Sequence, residues 1–514
     1  MSDFDPSAPP VRVALLLPEA DCRVWQQRIA AALNGLPDTE VRIVRVAATH
    51  AADAQWRRWR NTIAELGAAE PASVDHAGLG EVWDAVIDLA GIAELAPWRA
   101  RSARGVWQLL DSQGGHLAAA YPCHASITSG QGGELALVRD GAQVLDSARF
   151  FADPYYPASL GQAYRSAEIL LCAAVRELAR PAGPQPVAAF TPQPRAGSLS
   201  RALHGLRGRA LAWRRRLKAQ WLSESWMIGV VDAPIQGMLT ESFQSRIRWL
   251  GERGRSGYRA DPFGLPGDTR RLYCESYDYQ EGFGRLESLR LDEQDRIVEA
   301  APAGVRLPGH LSYPYLFEHD GGLYAVPETA ARRRCELFRI DQAGHWQPVT
   351  TLLEDVAAVD ASLFAWGGRF WLAYTDLALG AFDNLCLSYA DDLRGPWQRH
   401  ARYPVKLDHR SARPAGTPFV HEGALYRPAQ DCASGYGQAV VLNRVDLCTP
   451  HSYREEIVAE CRPDPRGLNP HGLHTVSAWG ERTLVDGKRY VFSPRELGRK
   501  LRQRRDRTFG SAGR

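Results

Sequence analysis

The feature that most constrains this chain is a strand, tight turn and strand unit that recurs five times in its second half, with different side chains in the same frame. In order the units read ADPFGLPGDTRRLYCES, LSYPYLFEHDGGLYAVPET, VDASLFAWGGRFWLAYTD, PAGTPFVHEGALYRPAQD and GLHTVSAWGERTLVDGKRYVFSP. Each turns through Gly or Asp-Gly, residues that accept the positive φ of a tight hairpin, and closes on a strand carrying Tyr273, Tyr324, Trp371, Tyr426 or Tyr490. The openings at Asp261, Ser312, Asp360, Ala415 and His474 are spaced at 51, 48, 55 and 59 residues. That period is too long for a hairpin and fits a blade of about four strands, with CELFRID and NLCLSYADD as third strands and WQPVT and WQRHARYP as outer edges. The expectation is an all-β five-bladed β-propeller over residues 223–494. A solenoid of stacked hairpins shares the period, but the units vary in length and lack stacked identical residues.

In such a ring the first strand of every blade faces the axis, so Asp261, His310, Ser312, Tyr313, Asp360, Arg413 and His474 should converge on a polar funnel. Glu275, Glu328, Asp376, Gln430 and Asp431 lie farther along the second strands. Carboxylates in a shared cavity are costly for structure alone and suited to binding sugar hydroxyls or moving a proton. Asp261 can act as a base or cap its Asp-Pro turn, and Glu328, after Pro327, can be a substrate ligand or a solvated loop acid. Arg413 can hold a phosphate or carboxylate bidentately, or pair with Asp431. His471 and His474, in NPHGLH, have no carboxylate nearby in sequence, so substrate hydrogen bonding or core packing suits them better than a metal. No metal or cofactor is expected.

The rest of the chain divides by composition. Residues 11–179 alternate buried-strand candidates (VRVALLLP, VRIVRVAA, DAVIDLAG) with helical patterns, the longest running from Ser159 to Leu178 through Leu160, Tyr164, Leu171 and Leu178. This predicts an α/β domain over 1–182. A Pro/Gly-rich linker and a basic segment, Leu199 to Trp221, fill 183–222. The segment reads as a connector helix packed on one domain, or as an amphipathic helix on an anionic membrane. The basic stretch 495–514 reads as a disordered tail, with weak attraction to anionic lipid or nucleic acid as the alternative. A formal net charge of +3 does not by itself imply a nucleic-acid partner, and no specific one is expected. Nine scattered cysteines without zinc spacing read as buried reduced thiols. The acidic start and short apolar run lack the form of a secretory signal, so the expected location is cytoplasmic, with possible peripheral contact at the inner face of the membrane.

The repeats resemble the five-bladed propellers of glycoside hydrolase family 43. ADPF at Asp261 is similar to the motif that carries the general base there, and DASLF at Asp360 to the motif whose Asp tunes the acid and orients substrate. The resemblance implies a general-acid Glu opening the fourth unit, where this chain has RPAGT, Arg413 to Thr417. Glu328 and Asp431 are the available substitutes. Across 223–494, WMIGVVDAPIQ, HLSYPYLFEHDGGLYAVPET, RPAGTPFVHEGALYRPAQDCASGYG and GLHTVSAW resemble the N-terminal domain of plant glucosamine inositolphosphorylceramide transferases and of free-standing bacterial proteins. That implies work on a glycan or glycolipid, with a carbohydrate, glycolipid or sugar nucleotide as substrate. The first 182 residues resemble a formyltransferase-like domain without its H-x-S-L-L-P loop or Asn/His/Asp triad; GVWQLLDSQGG and the lone His124 stand there instead. The implied function is synthesis or remodelling of a surface glycan or glycolipid by glycosyl transfer, with Asp261 as base, Asp360 as orienter and Glu328 beside them. An inverting hydrolase and a non-catalytic glycan-binding scaffold are the alternatives.

Overall fold

The computed structural model describes residues 9–510 except 21, 48–80, 120, 181–182, 195–196, 241–242, 244–245 and 255. The acidic start of the chain and the last four residues of the basic stretch thus lie outside the described residues. The chain forms two compact units, Met1–Ala212 and Trp213–Arg514. The division falls inside one continuous helix, Ser198–Trp221.

The first unit is built on a mixed seven-stranded sheet. Thr39–Val46, Val11–Pro18, Ala85–Asp88 and Val106–Asp111 run parallel; Gly133–Arg139, Gln143–Phe150 and the short Ala188–Ala189 continue it antiparallel. Val11–Pro18 is buried almost throughout, as an inner parallel strand covered on both faces must be. The helix Tyr156–Leu178 buries Leu160, Tyr164, Leu171 and Leu178, and Tyr164 stacks on Trp25 of the helix Val24–Asn34 at 4.6 Å.

The second unit is a ring of five antiparallel blades. Blade one is Gly257–Gly264, Arg271–Asp278, Phe283–Leu291 and Ile297–Pro302. Blade two is Ser312–His319, Gly322–Glu328, Arg334–Ile340 and Trp346–Glu354. Blade three is Ala358–Trp366, Arg369–Asp376, Asn384–Ala390 and Gln398–Arg399. Blade four is Phe419–His421, Ala424–Asp431, Ala439–Cys448 and Tyr453–Cys461. Blade five joins the last two strands, Val476–Trp479 and Arg482–Val491, to the first two of the unit, Ser223–Val231 and Arg248–Trp249. Pairing of Arg482–Val491 with Ser223–Val231, from Thr483↔Val231 to Val491↔Ser223, joins the two ends of the unit within one blade and closes the ring.

Local chemistry explains the hairpins. Asp320-Gly321, Gly367-Gly368 and Glu422-Gly423 all hold positive φ in two-residue turns, the geometry that matches strand twist. The aromatics on the second strands meet partners directly opposite: Phe317 with Tyr324 at 5.6 Å, Trp371 with Tyr389 at 5.4 Å, Phe419 with Tyr426 at 5.3 Å.

Two expectations change. The basic C-terminal stretch is a helix, Pro494–Gly510, and not a disordered tail. Pro at its start, an Arg499–Glu496 pair one turn along, and Lys500 Nζ donating to the carbonyls of Ala219 (2.9 Å) and Leu222 (3.2 Å) supply what composition alone does not show. Blade four opens with only the short strand Phe419–His421, because Arg413 to Thr417 runs as an extended segment bridging to Ala429 and to Val476. All nine cysteines are free thiols; Cys172 and Cys448 are half-buried and the others buried.

Candidate functional site

Three inner strands carry the same defect. A β-bulge interrupts pairing between Ala260 and Phe263 in blade one, Ser312 and Tyr315 in blade two, and Val359 and Ser362 in blade three. In each, the residue after the break is left-handed without being glycine: Asp261 (φ 51°), Tyr313 (φ 44°) and Asp360 (φ 52°). Such backbone costs about 1–3 kcal/mol per residue unless the surroundings hold it. The bulges therefore align Tyr313, and not Ser312, with the two aspartates.

Carboxylates of the preceding blades do the holding. The N–H of Asp261 donates to Asp486 Oδ2 (3.0 Å), that of Tyr313 to Asp261 Oδ2 (3.3 Å), and that of Asp360 to Glu328 Oε2 (3.1 Å). Each bulge is thus capped by an acid from its neighbour, which stitches the blades around the axis and gathers the acids there. Tyr313 Oη lies 2.8 Å from Ser362 Oγ and accepts the Gly416 N–H at 2.5 Å.

Two arrangements of charge result. In one, Asp486 accepts the backbone N–H groups of His474 and Thr475 and contacts His474 Nδ1 at 2.7 Å; His474 Nε2 faces Asp261 Oδ1 at 3.2 Å, and Thr475 Oγ1 donates to the same oxygen at 2.9 Å. Asp261, His474 and Asp486 place one donor atom each within 4.8 Å of one another, close enough to share a cation, although hydrogen bonds alone already join them. In the other, Asp360 Oδ2 accepts from Arg413 Nε at 2.5 Å and from Gln430 Nε2 at 2.7 Å, while Arg413 also donates to the Ala381 carbonyl. Arg413 thus pairs with Asp360 of the neighbouring blade and not with Asp431.

The electrostatics follow from burial without full neutralisation. Burial raises Asp261 to about 6; His474 opposes the rise, and Asp486 and Asp360 add to it. Burial, then Asp360, raise Glu328 to about 8 against the pull of Arg413. Glu275 is also pushed well up, by burial and then by Asp261 and Glu328. Burial would lower His474, yet Asp486 and Asp261 outweigh it and raise the imidazole. The two flanking carboxylates thus favour the protonated form of the imidazole.

Aromatic rings cover this cluster. Tyr436 lies 4.8 Å from the Arg413 guanidinium and 5.2 Å from the His474 ring, and Trp226 packs on His474 at 3.9 Å. The axis is therefore a buried polar core and not an open funnel: Asp261, Asp360, His474 and Gln430 are buried, while Glu328, Tyr436, Phe382 and His310 remain partly exposed and mark the side a ligand can reach.

The expected site residues divide accordingly. Asp261, Glu328, Tyr313, Asp360, Arg413, Gln430 and His474 come together. His310 sits at the margin, its Nδ1 accepting the Gly284 N–H and its Nε2 3.6 Å from Glu275. Asp431 turns away to cap Ala433, Asp376 accepts from Tyr403, and His471 is exposed against the Tyr490 ring. Sequence reasoning missed Asp486, Thr475, Tyr436 and Trp226. Asp486 had a signal, since it repeats in the fifth unit the second-strand acid of the other four. RPAGT leaves no room for an acid at Gly416: its φ is 120°, and a Cβ would lie 1.8 Å from the Val476 carbonyl oxygen.

In the first unit Asp88, Asp111 and His116 spend polar atoms on nearby backbone. Asp88 caps Ala90, Gly91 and Ile92, Asp111 caps Gln113, Gly115 and Cys123, and His116 contacts the Asp88 carbonyl. His124 packs against Tyr121 and Tyr156, and burial, then His204 and Arg201, lower it to about 4.

Residues 294–469 match the family model described as glucosamine inositolphosphorylceramide transferase 1, N-terminal. That stretch of the second unit is similar to the domain the model describes. The matched stretch includes Tyr313, Glu328, Asp360, Arg413 and Gln430, while Asp261, His474 and Asp486 lie outside it. Glucosamine inositolphosphorylceramide transferase 1 of Oryza sativa subsp. indica is 30% identical over 206 residues, 39% of this chain and 28% of the rice protein. That of Arabidopsis thaliana is 28% identical over 279 residues, 48% of this chain and 35% of the plant protein. This chain thus spans about a third or less of the transferases it matches. Among solved structures, it is similar to a thermostable family-43 glycoside hydrolase (12% identity, TM-score 0.32, 43% of this chain and 84% of that one). An exo-β-1,3-galactanase from Clostridium thermocellum is a second (13% identity, TM-score 0.30, 38% and 47%).

Proposed function

We propose that the axis of the propeller is a carbohydrate site that transfers a glycosyl group in the synthesis or remodelling of a glycolipid or surface glycan. One observation carries the reading: two acids, Asp261 and Glu328, whose surroundings push their protonation apart, to about 6 and about 8. Near pH 7 the first is mostly an anion and the second mostly a neutral acid, the division of labour that acid–base chemistry at an acetal needs. Asp261 takes the proton of an acceptor hydroxyl as its oxygen bonds the anomeric carbon; Glu328 gives a proton to the oxygen that leaves. Asp360, fixed by Arg413 and Gln430, orients the sugar. The plant relatives, named as transferases acting on inositolphosphorylceramide, support a glycolipid acceptor. The bonding of Asp88, Asp111 and His116 to nearby backbone supports a scaffold over a formyl-transferring enzyme, and we place the reaction on the cytoplasmic side.

Purified full-length protein, incubated with a panel of sugar nucleotides and inositol-phosphate-bearing acceptors, should yield a glycosylated acceptor by mass spectrometry. Asp261→Asn should abolish it with the fold intact. Release of free sugar without an acceptor assigns hydrolysis instead. Unchanged ligand binding with no product from either protein assigns a scaffold.

A further inference from the structure

The helix Ser198–Trp221 has two faces. Its back is made for contact: Gly208 lies against the Pro154 carbonyl and Thr128, where a Cβ would meet the oxygen at 2.5 Å, and Ala212 is buried. Its front is apolar and mostly exposed. Leu199, Leu203, Leu206, Trp213 and Trp221 recur at spacings of three, four, seven and eight residues, which places them in one stripe. They are between 52% and 75% exposed. A stripe of this size on a soluble surface marks a binding face.

The charges beside it choose the occupant. At 100° per residue, Arg207, Arg214 and Lys218 fall along one edge of the stripe, and Arg209 and Arg216 along the other. The helix contains no Asp or Glu. Long basic side chains bordering an apolar stripe can lay their stems on it and reach outward to phosphates while the Leu and Trp side chains enter the acyl boundary. No helix among the described residues is long and apolar enough to cross a membrane, so this one would lie on the surface.

We infer that the helix Ser198–Trp221 docks the protein on an anionic lipid bilayer, with the Leu/Trp stripe inserted and the flanking arginines on lipid phosphates. This stands independently of the reaction at the propeller axis.

The test is co-sedimentation of the full chain with vesicles of phosphatidylcholine alone or mixed with phosphatidylglycerol. Binding to the anionic vesicles that weakens with added salt is expected. Leu206→Glu with Trp213→Glu, both at exposed positions, should remove it without shifting the melting temperature. Arg207→Gln and Arg214→Gln should each weaken it about fivefold, the equivalent of about 1 kcal/mol per basic residue. Equal binding to both vesicles, or full binding by the double glutamate variant, would overturn the inference. So would a dimer in solution that the same variant dissociates while neither protein binds vesicles, since that assigns the stripe to a second copy of the chain.

Discussion

The propeller buries two ionic clusters that solve the same problem in opposite ways. In blade four, Glu455 receives Arg427 through both Nε (2.9 Å) and Nη2 (2.5 Å), Lys406 at 2.8 Å and the Tyr453 hydroxyl, while Arg427 also donates to the carbonyls of Ser411 and Ala412. Burial alone would raise Glu455, but Arg427 and Lys406 bring it down to about 2. At the axis, Asp261, Glu275, Glu328, Asp360 and Asp486 share Arg413 and His474, and Asp261, Glu275 and Glu328 are raised. The first cluster is neutralised and completes the fold. The second holds more acid than its cations can balance, which a fold has no need of and a ligand site does.

Substitutions should separate the two clusters. The largest effect belongs to Asp261→Asn, expected to cost turnover about 10²–10⁴-fold, the share of a general base, with the protein still folded and a smaller loss of stability than Glu455→Gln. Glu455→Gln should do the reverse. Leaving Arg427 buried against a neutral amide should cost about 3–5 kcal/mol in denaturant unfolding, with ligand binding at the axis unchanged in the folded fraction.

The pH dependence should also split. Glu328 is raised when folded, so between its unfolded value and about 8 the native state binds the extra proton, and stability falls as pH rises through that window. The slope from one such group reaches about 1.4 kcal/mol per pH unit, and Glu328→Gln should flatten it. Glu455 is depressed, so its contribution is present at neutral pH and lost as pH falls toward about 2. Turnover should follow a bell with limbs near 6 and 8. The smallest effect is that of Tyr313→Phe, which removes the acceptor for the Gly416 N–H and should cost about 1–2 kcal/mol of stability, read by thermal melting.

Much of this contrast was legible in the sequence. Turn dipeptides and strand aromatics are local signals, and they located all five blades. Asp261 and Asp360 stood out because each opens a unit. What failed was non-local. Closure by Ser223–Val231 pairs strands from opposite ends of the unit. The bulges shift the inward residue of blade two from Ser312 to Tyr313, and no side-chain pattern announces an extra residue in a strand. Arg413 was as easily paired with Asp431, its neighbour within blade four, until the ring brought Asp360 of blade three beside it. His474 looked isolated because its carboxylates come from a different blade and a different strand.

The claim that the axis carries unbalanced acid can be tested without knowing the ligand. Infrared spectroscopy across a pH titration reads the carbonyl band of protonated carboxyl groups directly. The expected result is a band that persists at pH 7, loses intensity through about 8 and is reduced in Glu328→Gln. If every carboxyl group in the native protein instead ionises within the ordinary range below about 5, the axis is as fully neutralised as the Glu455 cluster, and its reading as an acid–base site is wrong.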